Sequence, residues 1–159
     1  MREWIVGRNP VHEVLRARQR QVFKVQMASG VQPSPRLNEI MSLAKERRIP
    51  VESVPRQSLD RLDEHHQGVA VEASMYHYFD LLEIIEKLQQ PQKPPLILIL
   101  DMIQNPQNFG TLLRSAEALG VDGVIMPLAR TAGVTPAVVH ASAGASEHVA
   151  VAQANLAQA

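Results

Sequence analysis

The sequence predicts an α/β fold in two parts, a small N-terminal α/β unit over residues 1–75 and the first half of a parallel-sheet domain over residues 96–159. Three observations carry this. Short strand-like runs alternate with helical stripes through the first 75 residues. A Gln/Pro-rich spacer, residues 89–95, then interrupts the pattern. Directly after it comes Leu96-Ile-Leu-Ile-Leu100, a continuous apolar run of the kind buried on both faces of a parallel sheet.

Taken in order, Asn9-Pro10 reads as an N-cap followed by a first-turn proline, opening a helix with Val11, Val14 and Leu15 inward. Val22 to Met27 alternates as a strand does. Leu37, Ile40, Met41 and Ala44 mark the buried stripe of a second helix, with Lys45, Arg47 and Arg48 in its last turn, where cations favour the dipole. Pro50 to Val54 reads as a strand, Arg56 to Leu62 as a short helix, and Gly68 to Ala73 as the strand that closes the unit. Residues 76–95 are expected to form a linker whose helix is capped by Asp80 and carries Leu81, Ile84, Ile85 and Leu88. A helix from about Asn108 to Leu119 ends at Gly120, a glycine of the left-handed stop type. Gly123 to Met126 and Val149 to Val151 are expected strands, Pro136 to Ala141 a helix, and Asn155 the cap of a helix cut off at Ala159.

Bulk numbers narrow the function less than they exclude. An apolar content of 45% with only 4% aromatic residues gives an aliphatic core. Net charge is zero, although the first part is modestly basic and the second acidic. The absence of cysteine excludes disulfides, thiolate metal sites and cysteine nucleophiles. The first residues lack the apolar core of a secretory signal, and Leu96 to Leu100 is too short to span a bilayer. A cytoplasmic protein with no membrane partner is the expectation. No glycine-rich dinucleotide or P-loop signature occurs.

Chemistry concentrates in Asp101 to Gly120. The stretch leaves a strand, crosses a Pro/Asn/Gly loop and enters a helix at the carboxyl end of the strand, where open α/β sheets build their sites. Pro106 stiffens the loop, Asn108 suits the cap, and Gly110 removes a side chain where a backbone or ligand could approach. A buried stripe of Leu112, Leu113, Ala116 and Leu119 turns Arg114 outward, and Glu117 lies three residues on, where it can orient the guanidinium. An arginine fixed in this way suits a phosphate or another oxygen-rich ligand. The spacing fits equally a capped helix with an ordinary surface Arg–Glu pair.

In full, the string resembles motif 1 of the SpoU (TrmH) family of RNA ribose 2′-O-methyltransferases, in the SPOUT superfamily. Asp101, Pro106, Asn108, Gly110, Arg114, Glu117, Ala118 and Gly120 all match in register. Val6 to Leu15 and His66 to Ala70 resemble the opening and closing segments of the family's N-terminal RNA-binding α/β sandwich, and Ser142 to Val149 resembles its Gly-Ala-x-Glu stretch. The resemblance implies an α/β-knot methyltransferase domain, S-adenosylmethionine as methyl donor, ribosomal or transfer RNA as substrate, and a homodimer. It implies that Arg114 engages the target nucleotide, that Asn108 holds the active-site loop, and that Glu117 orients Arg114. A guanidinium is a poor general base, so anchoring a phosphate and positioning the hydroxyl is the role expected of Arg114. Neither the family's Gly-x-Glu-Gly-x-Gly loop nor its Ser-Leu-Asn-Val-Ser segment occurs in these residues, so no donor-binding residue can be assigned. A fragment of the full enzyme and a truncated, inactive relative that only binds RNA both fit, the helix cut at Ala159 favouring the fragment. A structural or oligomerisation domain without RNA affinity is a third reading.

Other residues invite weaker assignments. Arg8, His12, Arg16 and Arg18, on or near the first helix, either contact RNA together with Gly110 or form a solvated face. His65-His66 lacks a third metal ligand and reads as surface loop, so no metal is expected. His140 and His148 have no catalytic partner at a recognisable spacing, and Trp4 reads as a packing residue.

Overall fold

The computed structural model describes residues 1–88 and 94–157, and these divide into two compact units, Met1–Tyr76 and His77–Ala159. Most of the expected spacer lies outside the described residues.

The first unit runs β1 (Arg2–Val6), α1 (Arg8–Ala17), β2 (Val22–Ala28), α2 (Pro35–Glu46), β3 (Val51–Val54), α3 (Arg56–Asp60) and β4 (Val69–Ser74). Its sheet has the order β1-β4-β2-β3, with β2 and β3 parallel and β4 antiparallel to both β1 and β2. Strand β1 is absent from the sequence reading, because Glu-Trp-Ile-Val lacks the polar-apolar alternation that marks a half-buried strand. Period-2 geometry sends Ile5, Val71 and Val25 to one face, and Val6, Ala70 and Ala28 to the other, where Leu59 of α3, Trp4 and Val54 complete a cluster. Trp4 is thus a packing residue, as expected.

Local chemistry sets the helix ends. α1 starts earlier than Asn9-Pro10 suggests: Gly7, at φ 97°, precedes Arg8 and no side chain caps the helix. In α2 the Ser34 hydroxyl accepts from the Leu37 N–H at 3.3 Å and Pro35 follows it, while Leu37, Ile40 and Ala44 are buried and Met41 is 41% exposed. On the exposed strand β3, the Gln26 amide and then the Lys24 ammonium hydrogen-bond the Glu52 carboxylate and hold its pKa below the usual range.

The second unit contains α4 (Leu81–Leu88), β5 (Ile97–Ile99), α5 (Pro106–Ala118), β6 (Gly123–Pro127), α6 (Pro136–Ala141), a 3₁₀ turn (Ala145–His148) and β7 (Val151–Ala154). Its sheet is parallel throughout, in the order β5-β6-β7. The helix expected in a linker belongs to this unit. Asp80 caps α4 through the Leu82 N–H (2.8 Å) while Glu83 returns to the Asp80 N–H (3.1 Å), a reciprocal capping box. Ile84 of α4 packs on Gly123, where an added Cβ would lie 2.7 Å from the Ile84 Cγ2. The Phe79 N–H donates to Val151 O, and Phe79 bridges Ala152 beside β7.

Two expectations change here. The run Leu96–Leu100 is not buried on both faces: β5 is the edge strand among the described residues, with Ile99 62% exposed. The third strand begins at Val151 rather than Val149, because Ala145–His148 winds into the 3₁₀ turn first. Asn155 caps only a turn, its Oδ1 accepting from the Ala157 N–H at 3.2 Å. No helix among the described residues is long and apolar enough to cross a membrane.

Candidate functional site

Asp101 to Asn105 leaves the carboxyl end of β5, and its Ile103 carbonyl accepts from the Ala132 N–H (2.6 Å) and the Thr131 hydroxyl (3.0 Å). The loops that follow two adjacent parallel strands are therefore tied together, which fixes where α5 begins. Asn105, not Asn108, is its cap: its side-chain oxygen accepts from the N–H groups of Gln107 (2.8 Å) and Asn108 (3.2 Å), with Pro106 in the first helical position. Asn108 is then in the first turn with its own side chain exposed, and it is not the cap. Asn105→Ala is expected to lower stability by about 1 kcal/mol, read as a lower urea midpoint with an unchanged slope.

Starting the helix at Pro106 also shifts its buried stripe to Phe109, Gly110, Leu113 and Ala116. Leu112 is only half-buried and Leu119 is 73% exposed, against expectation. Burial of the Phe109 ring, which has no exposure, contributes about 1.5–3 kcal/mol. Gly110 faces α6 so closely that an added Cβ would sit 2.5 Å from the Ala141 Cβ and 2.9 Å from both the Ser142 nitrogen and the Val138 oxygen. Gly110, expected among the RNA contacts, is buried here, and its missing side chain serves helix packing. Beyond α6, the buried Ser142 hydroxyl donates to Val139 O (3.0 Å) and accepts from the Ser146 N–H (3.3 Å), locking the turn that carries the buried Glu147.

Arg114 and Glu117 are both exposed, as expected, and Arg114 lies in the third turn of α5. Among the described residues no ion pair joins Arg114 to Glu117. In the open an i,i+3 pair gains too little to hold two long side chains in one geometry. The Thr111 and Ser115 hydroxyls next to Arg114 bond back to carbonyls of their own helix, at 2.9 and 3.1 Å. The helix thus presents an amide and a guanidinium to open surface, with Gly120, at φ 66°, ending it. Arg130 is a cation that the sequence reading missed. It is exposed, in left-handed conformation (φ 61°), on the loop that Ile103 ties to the entrance of α5.

In the first unit the expected RNA-facing group divides. His12 is buried between Glu13 (2.8 Å) and Glu39 (3.3 Å), which makes it part of the α1–α2 packing. Arg16 pairs with Glu13 (3.5 Å) and Arg18 with Glu46, so their charge is locally offset. Arg8 has no carboxylate partner among the described residues: its Nε donates to Gln67 O at 3.1 Å beside an open cavity. His66, expected in surface loop, is fully buried. No group of three metal-ligating side chains occurs among the described residues.

Solved structures share this architecture. The chain superposes on an S-adenosylmethionine-bound rRNA methyltransferase from Sinorhizobium meliloti with a TM-score of 0.74 at 21% identity, over 99% of this chain and 56% of that one. On the SpoU methyltransferase AviRb from Streptomyces viridochromogenes the TM-score is 0.72 at 21% identity, over 96% and 53%. In sequence, residues 4–79 match the family described as RNA 2′-O ribose methyltransferase substrate binding, and residues 95–159 match the SpoU rRNA methylase family. A Bacillus subtilis protein assigned to the TrmH family of tRNA/rRNA methyltransferases is 34% identical over 152 residues, and a Staphylococcus aureus protein so assigned is 38% identical over 148. The chain belongs to the SpoU (TrmH) family. It spans about 60% of the length of these relatives, covering 95% and 92% of itself.

Proposed function

We propose that this chain is the RNA-holding part of an S-adenosylmethionine-dependent methyltransferase that modifies a ribose 2′-hydroxyl in ribosomal or transfer RNA. The observation that carries this reading is the match of both family modules in one chain, with Asn108, Arg114 and Glu117 exposed on α5. Arg114 anchors a phosphate of the target nucleotide and presents the 2′-hydroxyl, its fork supplying directional donors. Because Cα–Cβ bonds on a helix tilt towards its N-terminus, a side chain at Arg114 leans back towards the turn that carries Asn108. Asn108 steadies the same nucleotide or the loop beneath it, and Glu117 orients the guanidinium once substrate is bound. Such a site works mainly by positioning the reacting groups.

The residues present do not form a donor site. Asn108, Arg114 and Glu117 stand on open surface, and the described residues form no enclosed cradle for an adenosine around them. The donor supplies an electrophilic methyl group. Homodimerisation and a cytoplasmic setting are parts of the same proposal.

The test is methyl transfer from methyl-labelled S-adenosylmethionine to bulk ribosomal and transfer RNA by the protein carrying this chain, followed by alkaline hydrolysis. A ribose 2′-O-methyl group blocks cleavage of its own phosphodiester, so label is expected in alkali-resistant dinucleotides. Label in mononucleotides would place the methyl on a base and overturn the ribose reading. In calorimetry on the 159-residue chain, little or no heat is expected with S-adenosylmethionine while RNA binding is retained.

A further inference from the structure

The ends of β1, β2 and β3 and the start of β4 lie at one end of the first unit's sheet, because β4 runs antiparallel to its neighbours. There the structure forms an open cavity of about 540 Å³ lined by Arg8, Val31, Gln32, Arg56 and Gln67 and by Gly30 and Gly68. That volume lies within the roughly 300–1,000 Å³ of small-molecule sites. It is distinct from the α5 site, which belongs to the other unit.

Its walls are fixed by a chain of bonds. The Gly68 N–H donates to Nδ1 of the fully buried His66 at 2.8 Å. The ring proton is therefore on Nε2, which donates to the Asp60 carboxylate at 2.9 Å. The same carboxylate oxygen lies 4.0 Å from the Arg56 Nε. One buried imidazole thus ties the backbone of one wall to the cation of another. On the facing side, the Arg8 N–H donates to the Gln67 Oε1 (3.0 Å) and its Nε to Gln67 O (3.1 Å). That leaves the two terminal nitrogens of the Arg8 guanidinium and the Gln67 amide N–H groups to be offered as donors. Gly68 is needed there: at φ 85° an added Cβ would lie 2.4 Å from the Val31 Cγ2.

The lining contains two guanidiniums, two carboxamides and no carboxylate. Arg56 is paired with Asp60, whereas Arg8 has no carboxylate partner among the described residues; Arg2, Arg16, Arg18, Arg20, Lys24 and Arg36 are each paired with a glutamate. We infer that this cavity binds one unpaired nucleotide of the RNA substrate, its phosphate on Arg8 and Arg56 and its base edge on the Gln32 and Gln67 amides. A phosphate alone leaves most of the volume unfilled, whereas a nucleotide splayed out of a helix brings both an anion and a hydrogen-bonding edge. The inference rests on the RNA reading above and adds to it a subsite in the first unit.

The test is fluorescence anisotropy of the chain with a labelled RNA hairpin bearing an all-purine loop, against a fully paired duplex of equal length. The hairpin is expected to bind more tightly. Changing Arg8→Gln and Arg56→Gln together is expected to weaken hairpin binding at least tenfold and to make the dependence of log K on log salt shallower by about one. Arg48→Gln, at the opposite end of the sheet, is expected to leave both unchanged. Gln67→Glu keeps the acceptor for Arg8 and adds a negative charge, so it is expected to weaken the hairpin complex even where the double arginine variant fails to fold by circular dichroism. Hairpin binding that survives in Gln67→Glu and in the folded double variant would overturn the subsite and leave the RNA reading standing. Equal loss for hairpin and duplex would also overturn it, as would adenosine monophosphate binding as tightly as the hairpin. A wild-type chain that binds neither RNA would remove both readings.

Discussion

Replacing Gly110 with alanine is expected to destabilise the second unit by about 3 kcal/mol, the upper part of the range for adding a methyl to a close-packed core. The added Cβ would fall 2.5 Å from the Ala141 Cβ and 2.9 Å from two backbone atoms, the Val138 oxygen of α6 and the nitrogen of Ser142, its C-cap. A flexible side chain could rotate away from such a contact, but backbone atoms of a packed helix cannot. The strain therefore moves α6 as a body, and with it the turn that the Ser142 hydroxyl locks and the buried Glu147 that the turn carries. Helix propensity works the other way, favouring alanine over glycine by about 1 kcal/mol, so a net loss measures the clash rather than the helix. Urea unfolding followed by circular dichroism gives the difference. An unchanged or raised midpoint would mean that α5 and α6 separate without loss, and that Gly110 is kept for some other reason.

That prediction also shows which features were legible in the sequence. Motif 1 was readable because a helix period fixes the spacing of Asn108, Arg114 and Glu117 wherever the helix begins. Where it does begin was misread, since Asn105 and Asn108 can both cap, and only the proline following Asn105 decides between them. The three-residue shift exchanged Leu112 and Leu119 for Phe109 and Gly110 in the buried stripe, which sets Gly110 against α6. The edge position of β5 and the presence of β1 depend on pairing between distant segments, which local alternation does not encode. The cavity of the first unit was hidden for a similar reason. Arg56 reads as any surface arginine, and a left-handed Gln67 (φ 51°) has no sequence signature of its own. Conversely, Arg16, Arg18 and His12 looked available only because their partners, Glu13, Glu39 and Glu46, lie partly on another helix.

Arg114→Ala, made in the protein carrying this chain, is expected to lower kcat/KM for RNA methylation by about 10²–10³-fold, the scale on which one directed donor to a reacting centre is worth removing. Its stability should hardly change, within about 0.5 kcal/mol, because the side chain is exposed and is in no ion pair among the described residues. The two effects must separate if Arg114 acts on substrate rather than on the fold. Arg114→Lys distinguishes the kind of interaction: a lysine retains the charge and loses the planar fork, so a phosphate held by charge alone would be rescued and a hydroxyl positioned by two directed N–H groups would not. The second outcome is expected, with the loss mainly in kcat. Glu117→Gln should show a smaller loss, about tenfold, because its carboxylate acts through Arg114, and it should add almost nothing in the Arg114→Ala background. Full additivity of the two changes would separate Glu117 from the guanidinium and leave it an ordinary surface residue. An Arg114→Ala protein that methylates RNA at the wild-type rate would end the assignment of α5 as the substrate-facing half of the site.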